Sequence, residues 1–257
     1  MSEVVAAPLD GRAMLVTGAS SGIGRAIAIA AARAGADVAV TYRTNERGAR
    51  EVGGEIEKIG RRATIVRLDL ADDASLKALG PAARKGLGRL DVWVNNAGAD
   101  ILTGTGASLS VNDKLELLMR VDLRGTMLAS WQAAEMFGGQ PEGGVIINMS
   151  WDHVLTGMAG INPQLFAAVK GGVLSFSKAL ARSVAPRVRV NVLAPGWIET
   201  SFGAEIDEDV RRSVAESTPL KRWGTPEDVA AAAVFLASPG AGFITGQTLM
   251  VGGGAVM

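Results

Sequence analysis

Cysteine is absent from the 257 residues, and histidine occurs once, at His153. The first absence excludes disulfides, thiolate metal sites and cysteine nucleophiles; the second leaves too little imidazole for a histidine-rich metal cage, so no metal site is expected. Net charge is missing too, because 26 lysines and arginines balance 26 aspartates and glutamates. Such a chain carries no field that favours nucleic acid or an anionic membrane, and neither is an expected partner. No uninterrupted apolar stretch approaches the roughly 18 residues that a bilayer span needs. The opening MSEVVAAPLDGRAM has no basic region ahead of a long apolar run, so the default is a soluble, cytoplasmic protein with a small-molecule partner. Fixed-period repeats, low-complexity tracts and linkers are also missing.

Glycine, by contrast, is plentiful. The 33 glycines accompany 48% apolar residues, a combination that indicates tight turns and close backbone packing rather than disorder. Short apolar runs alternate with longer segments of helical period: AMLVT, DVAVTY, ATIVRL, DVWVNN, GVIINMS, RVRVNVL and TLMVGG read as seven strands. Their apolar residues are continuous rather than alternating, as in strands buried on both faces. Intervening helices such as 22–34 and 226–236 supply the crossovers of a parallel sheet. The expected fold is a single doubly wound, Rossmann-type α/β domain over 1–257: a parallel seven-stranded sheet with helices on both faces. Its cofactor half would span about 10–150 and its substrate-side half about 151–257. Ligands of open parallel sheets lie beyond the carboxyl ends of the strands. The two least regular stretches, 99–110 and 200–225, both follow strands and are therefore the expected frame of the site and its mobile lids.

Gly18, Gly22 and Gly24 stand directly after the first strand and at the opening of a helix. Glycines there permit a tight turn and let backbone N–H groups approach a pyrophosphate, which the helix dipole also favours; Ser20 and Ser21 add hydroxyl donors, and Ile23 lies within the turn. The spacing of three residues and then one differs from the commoner dinucleotide fingerprint and resembles the short-chain dehydrogenase/reductase family. The resemblance extends over nearly the whole chain through NNAG at Asn95–Gly98, LDL with Asp69, NVLAPGWIET and the tail TPLKRWGTPEDVAAAAVFLASPGAGFITGQTLMVGGG. It implies an adenine contact at Asp69 and Leu70, cofactor contacts at Asn96, Ala97 and Gly98, and a nicotinamide-side segment containing Pro195, Gly196, Ile198 and Thr200. The second strand ends in VAVTYRT, with Tyr42 where an acid would select unphosphorylated ribose. Arg43 follows and can grip a phosphate through a forked pair of charge-assisted bonds. NADP is thus the expected cofactor, with NAD the alternative. A homotetramer or dimer is implied by the family through the helical segments 112–137 and 164–185.

The family's working set is an asparagine, a serine, a tyrosine and a lysine, and here only the lysine matches. Lys170 is expected to hold the nicotinamide ribose. Four residues before it stands Phe166, which has no proton to give. The asparagine falls in RVDLRGT, where Asp122 stands instead, as a proton relay or as a partner that cancels part of the Lys170 charge. Counting forward from Asn148 puts Trp151 in the serine's place, whereas counting back from Phe166 gives His153; Ser150 precedes both. Deleting the proton donor sacrifices general acid catalysis, typically ~10²- to 10⁴-fold. His153 is the expected substitute. Asp152 is a conceivable partner, yet adjacent residues of an extended segment point to opposite sides. Lys170, Asp122 and His153 are therefore the candidate catalytic residues, while Trp151 and Trp197 read as pocket walls for a largely apolar substrate. Two functions follow: an oxidoreductase with a non-standard acid/base, or a silent cofactor-binding sensor, regulator or structural subunit. Dehydration or isomerisation has no positive signature.

Overall fold

In a computed structural model the chain is described over residues 7–200 and 206–257. Seven parallel strands form one sheet: β1 (Ala13–Val16), β2 (Asp37–Tyr42), β3 (Ala63–Arg67), β4 (Val92–Asn95), β5 (Gly144–Met149), β6 (Val188–Pro195) and β7 (Thr248–Val251). Their order is β3-β2-β1-β4-β5-β6-β7. The chain winds outward from β1 in one direction, then crosses back to β4 and winds out in the other, so a crevice opens between the carboxyl ends of β1 and β4. Met14 pairs with Val38 of β2 and Val92 of β4, which fixes the register at this switch point.

Strand side chains alternate between the two faces. Met14 and Val16 join a buried cluster with Ile27 of α1 (Gly22–Arg33), Val52 of α2 (Glu46–Lys58) and Val229 of α9 (Pro226–Ala237). Leu15 and Trp93 enter a second cluster on the opposite face with Leu79 of α3 (Asp73–Leu87), Phe137 of α6 (Thr126–Gly138) and Leu180 of α7 (Ile161–Val184). Each such fully buried large side chain contributes about 1.5–3 kcal/mol relative to exposure. Helices thus cover both faces, as the continuous apolar strands required. Among the described residues, no helix is long and apolar enough to cross a membrane.

Both stretches expected to be irregular contain helix. The segment 99–110 includes the single turn α4 (Gly104–Ala107). In 200–225, residues 201–205 lie outside the described part, and α8 (Glu208–Ser217) occupies much of the remainder, started by Asp207, whose side chain accepts from the Asp209 N–H. The segment read as 112–137 is α5 (Val111–Leu118) and α6 joined by a π-helical turn, Met119–Gly125. The helix expected from Gln164 begins three residues earlier, at Ile161, after Gly160 takes a left-handed φ of 116°. Pro163 is tolerated because it falls in the first turn, where backbone N–H groups have no intrahelical acceptor.

Candidate active site

The turn after β1 is locked to the turn after β4. The Thr17 hydroxyl oxygen accepts from the backbone N–H groups of Asn96 and Ala97, both at 2.9 Å, and the Asn96 amide donates to the Thr17 carbonyl at 2.9 Å. Gly18 takes a φ of 65° and donates its N–H to the Thr41 hydroxyl. Gly24 has a stricter requirement: a Cβ there would stand 2.3 Å from the Gly18 carbonyl oxygen. Only glycine lets α1 approach the turn this closely. Ser21 caps α1 without a side-chain capping bond, which leaves the first N–H groups of that helix directed toward the crevice.

A groove of about 900 Å³ runs from this turn across the sheet edge. Of the residues expected to hold a dinucleotide, Gly18, Ser20, Ser21, Ile23, Gly24, Arg43, Asp69, Leu70, Asn96, Ala97, Gly98, Lys170 and Thr200 all line it. Thr200 reaches the turn after β1, its Cγ2 lying 3.6 Å from where a Gly22 Cβ would be. Gly22, Pro195, Gly196 and Ile198 are not among the residues that line the groove. Pro195 ends β6, the Gly196 N–H donates to Val251, and Ile198 is buried in a bridge to Gly224. The size of the groove, the glycine clearance at its turn, and Arg43, which makes no ion pair with a described residue, fit an elongated phosphorylated ligand.

Asp122, Phe166 and Lys170 meet at the other end of the groove. Asp122 lies in the wide π turn, an arrangement frequent at functional sites. Its Oδ1 accepts from the Ala99 N–H at 2.7 Å, and its Oδ2 sits 2.9 Å from Lys170 Nζ. Gly98 makes room, since a Cβ there would approach Oδ2 to 2.7 Å. The two side chains keep only 2% and 12% exposure, so the Lys170 charge is answered by a buried carboxylate. Phe166 lies one turn before Lys170 on α7 and presents a ring. The end of β5 is tied to this helix at the same level by the Ser150 hydroxyl, which donates to the Lys170 carbonyl at 2.8 Å.

Behind these residues a buried polar network braces the strands. The Asn95 amide donates to Ser130 and to the Asn148 side-chain oxygen, and the Asn148 amide donates to the Ser177 hydroxyl, linking β4, β5, α6 and α7. Trp93 donates its indole N–H to the Asn95 oxygen. Every amide donor here meets an acceptor, which favours a single arrangement of the strand ends.

His153 is not among the residues that line the groove. It occupies a single 3₁₀ turn, Asp152–Val154, directly after β5. Its Nδ1 lies 2.6 Å from Asp152 Oδ1, and its ring stacks on Trp151 with centroids 5.0 Å apart. Trp151 in turn is 6.4 Å from the Phe166 ring. The expectation that Asp152 and His153 diverge is therefore wrong, because it assumed an extended backbone, whereas a 3₁₀ turn brings consecutive side chains round to meet. Asp152 is fully buried, and its Oδ2 has no hydrogen-bond partner among the described residues. Burial pushes this carboxyl above its ordinary range, with the bond to His153 acting in the opposite direction. No group of three or more potential metal-ligating side chains occurs among the described residues.

A family model described as enoyl-(acyl carrier protein) reductase matches residues 18–256. 3beta-Hydroxysteroid dehydrogenase 1 of Eggerthella lenta is 38% identical, with 97% of this chain and 95% of that protein covered. Among solved structures, a 7 alpha-hydroxysteroid dehydrogenase complexed with NADH and 7-oxo glycochenodeoxycholic acid superposes with a TM-score of 0.87 at 32% identity, covering 98% of this chain and 96% of the other. A short-chain dehydrogenase from Burkholderia cenocepacia in complex with NADP gives 0.85 at 34% identity, covering 96% and 99%. With the β1 turn, the NNAG strand end and Lys170 assembled along one groove, this similarity over the full sheet means that the chain belongs to the short-chain dehydrogenase/reductase family of NAD(P)-dependent oxidoreductases.

Proposed function

We propose that the protein is an NADP(H)-dependent oxidoreductase acting on a small, largely apolar carbonyl or alcohol, with His153 rather than a tyrosine hydroxyl as its acid/base. The observation that carries the proposal is the combination at the groove's end: the cofactor cradle and Lys170 are kept, while Phe166, on the same helix face, cannot supply a proton. When bound, the nicotinamide supplies or accepts a hydride at the substrate carbon. The chain's own residues do the rest. Arg43, exposed beside the groove, would grip the 2′-phosphate. Lys170 would orient the ribose from a position fixed by Asp122. Trp151 and Phe166 would wall the substrate side and exclude water, with Trp197, which packs on Trp223, farther along. Relatives named for hydroxysteroids accord with an apolar substrate. His153 would hand a proton to the substrate oxygen during reduction and take it back during oxidation.

The same proposal has the protein assemble as a dimer or tetramer. Trp131 of α6 is 48% exposed and meets Phe176 of α7 edge to face, an apolar pair suited to a subunit contact.

The test is a calorimetric titration with NADPH and NADH beside an absorbance assay over a panel of ketones and aldehydes. Tight NADPH binding, turnover of apolar ketones and its loss in His153→Ala are expected. Failure to bind either dinucleotide ends the proposal. A second reading, a silent cofactor-binding sensor or regulatory subunit, is favoured by the buried Asp122–Lys170 pair, which holds the retained lysine in a structural bond. Binding of NADPH with no turnover of any carbonyl decides for it.

A further inference from the structure

We infer that Asp152 is a positioning residue for the acid/base chemistry: it fixes the ring of His153 so that Nε2 is the atom that exchanges a proton with substrate. The inference rests on the function proposed above and adds to it a residue and an atom. Two contacts define the imidazole. Asp152 Oδ1 holds Nδ1 at 2.6 Å, and Trp151 stacks on the ring face with an interplanar angle of 24°. An ionised carboxylate can only accept, so the Nδ1 atom carries the hydrogen in the neutral ring and Nε2 is left bare. Nε2 makes no bond to any described residue, and the His153 side chain keeps 16% exposure while that of Asp152 keeps none. One nitrogen is committed and the other is available.

The way the carboxylate is housed argues against an incidental surface pair. Its Oδ2 sits against the two glycines that follow β6 and β7: a Cβ on Gly196 would approach it to 2.5 Å and one on Gly252 to 2.4 Å. Gly252 lies in the turn after β7, and the Gly196 N–H is spent on Val251, so neither strand end closes over Asp152 with a side chain. That oxygen has no hydrogen-bond partner among the described residues. A buried, half-satisfied carboxylate is a costly feature that contributes little to stability, whereas a histidine oriented by a buried acid is a recurrent arrangement for proton transfer. The pair also sits where chemistry is placed in this type of sheet, immediately beyond the carboxyl end of β5 and beside the segment that follows β6.

As His153 is the only histidine, tag-free protein labelled with ¹⁵N-histidine gives one pair of ring signals. Spectra recorded at alkaline pH should show Nδ1 protonated and Nε2 bare, and this preference should be lost in Asp152→Asn. In the carbonyl reductase assay, kcat of Asp152→Asn should fall on the order of 10²-fold, with the Kd for NADPH changed less than about twofold, since Asp152 does not line the cofactor groove. A protonated Nε2 in the unsubstituted protein overturns the inference, as does Asp152→Asn with undiminished kcat. If the unsubstituted protein turns over no carbonyl at all, the function proposed above falls and the catalytic role of Asp152 falls with it. Undiminished turnover in Asp152→Asn refutes only the positioning role.

Discussion

Replacing Asp122 by asparagine is nearly isosteric, yet it should be felt strongly. The carboxylate does two jobs at once, accepting the Ala99 N–H through Oδ1 at 2.7 Å and pairing with Lys170 Nζ through Oδ2 at 2.9 Å. An amide has one acceptor oxygen for these two sites. If the oxygen keeps Ala99, the NH₂ group faces the ammonium and two donors oppose each other. If the amide flips, the Ala99 N–H loses its acceptor. The lost charge-assisted bond is worth about 1.5–3 kcal/mol, and stranding a fully buried charge about 3–5 kcal/mol. Lys170 retains 12% exposure, so water relieves part of the second cost. A loss of about 2–3 kcal/mol is the expected result, which for a domain of this size lowers Tm by roughly 4–12 °C.

Urea unfolding and calorimetry of Asp122→Asn, Lys170→Met and the double variant would measure the coupling directly. The double variant should be more stable than Asp122→Asn alone, because no charge is left stranded. If Asp122→Asn unfolds within about 0.5 kcal/mol of the unsubstituted protein, the ion pair contributes nothing and the account of why Lys170 is held is wrong.

Other consequences are open to simpler measurements. In a His153→Ala background, adding Phe166→Tyr to Asp122→Asn places a hydroxyl one helical turn before Lys170 and should recover kcat ~10²- to 10⁴-fold; an unchanged rate with bound cofactor would show that the loop between β5 and α7 no longer presents substrate to that position. Arg43→Ala should weaken NADPH by roughly 10- to 100-fold, the equivalent of one charge-assisted contact, and leave NADH unaltered in calorimetry. Equal weakening of both would remove Arg43 from phosphate selection. Asp152 also makes a pH prediction. Burial raises its folded-state pKa, so its ionised form is less favourable in the folded protein than in the unfolded chain. That penalty is absent below the ordinary carboxylate value of about 3.9 and grows as pH rises through it toward the raised value. Asp152→Asn, neutral throughout, should therefore gain in urea midpoint relative to the unsubstituted protein as pH rises through the ordinary carboxylate value of about 3.9; a gap that is constant or closes as pH rises contradicts the assignment.

The sheet was legible because its strands announce themselves as short apolar runs, and the cradle because glycine at 18, 22 and 24 has a steric reason to be there: at Gly24 the clearance from the Gly18 carbonyl is too small for any side chain. The pairing of Asp122 with Lys170 was readable as an option, since an acid at that place next to a retained lysine has few other uses, but its geometry depends on a π turn that no periodicity marks. Helix α8 was missed because its residues are mostly polar and none of them is buried; it starts from the cap of Asp207 rather than from an apolar stripe.

His153 was a candidate and Asp152 a conceivable partner for it, but their contact escaped for a more instructive reason. Neighbours in sequence were treated as neighbours on a strand, and the period of two then sends their side chains apart. What decides the matter is the turn that begins at Trp151, whose backbone is still extended at φ −145° before the chain tightens into Asp152–Val154. The evidence for that turn lies far off in the sequence, in Gly196 and Gly252, whose missing side chains leave the space into which the Asp152 carboxylate folds back. On the proposed reading, an acid/base site is thus not found by comparing residues position by position. Under the function proposed above, Phe166 stands where the family resemblance expects a proton donor. The group we propose in its place stands thirteen residues earlier, just beyond the end of a different element, held by an acid whose room is provided by the ends of two other strands.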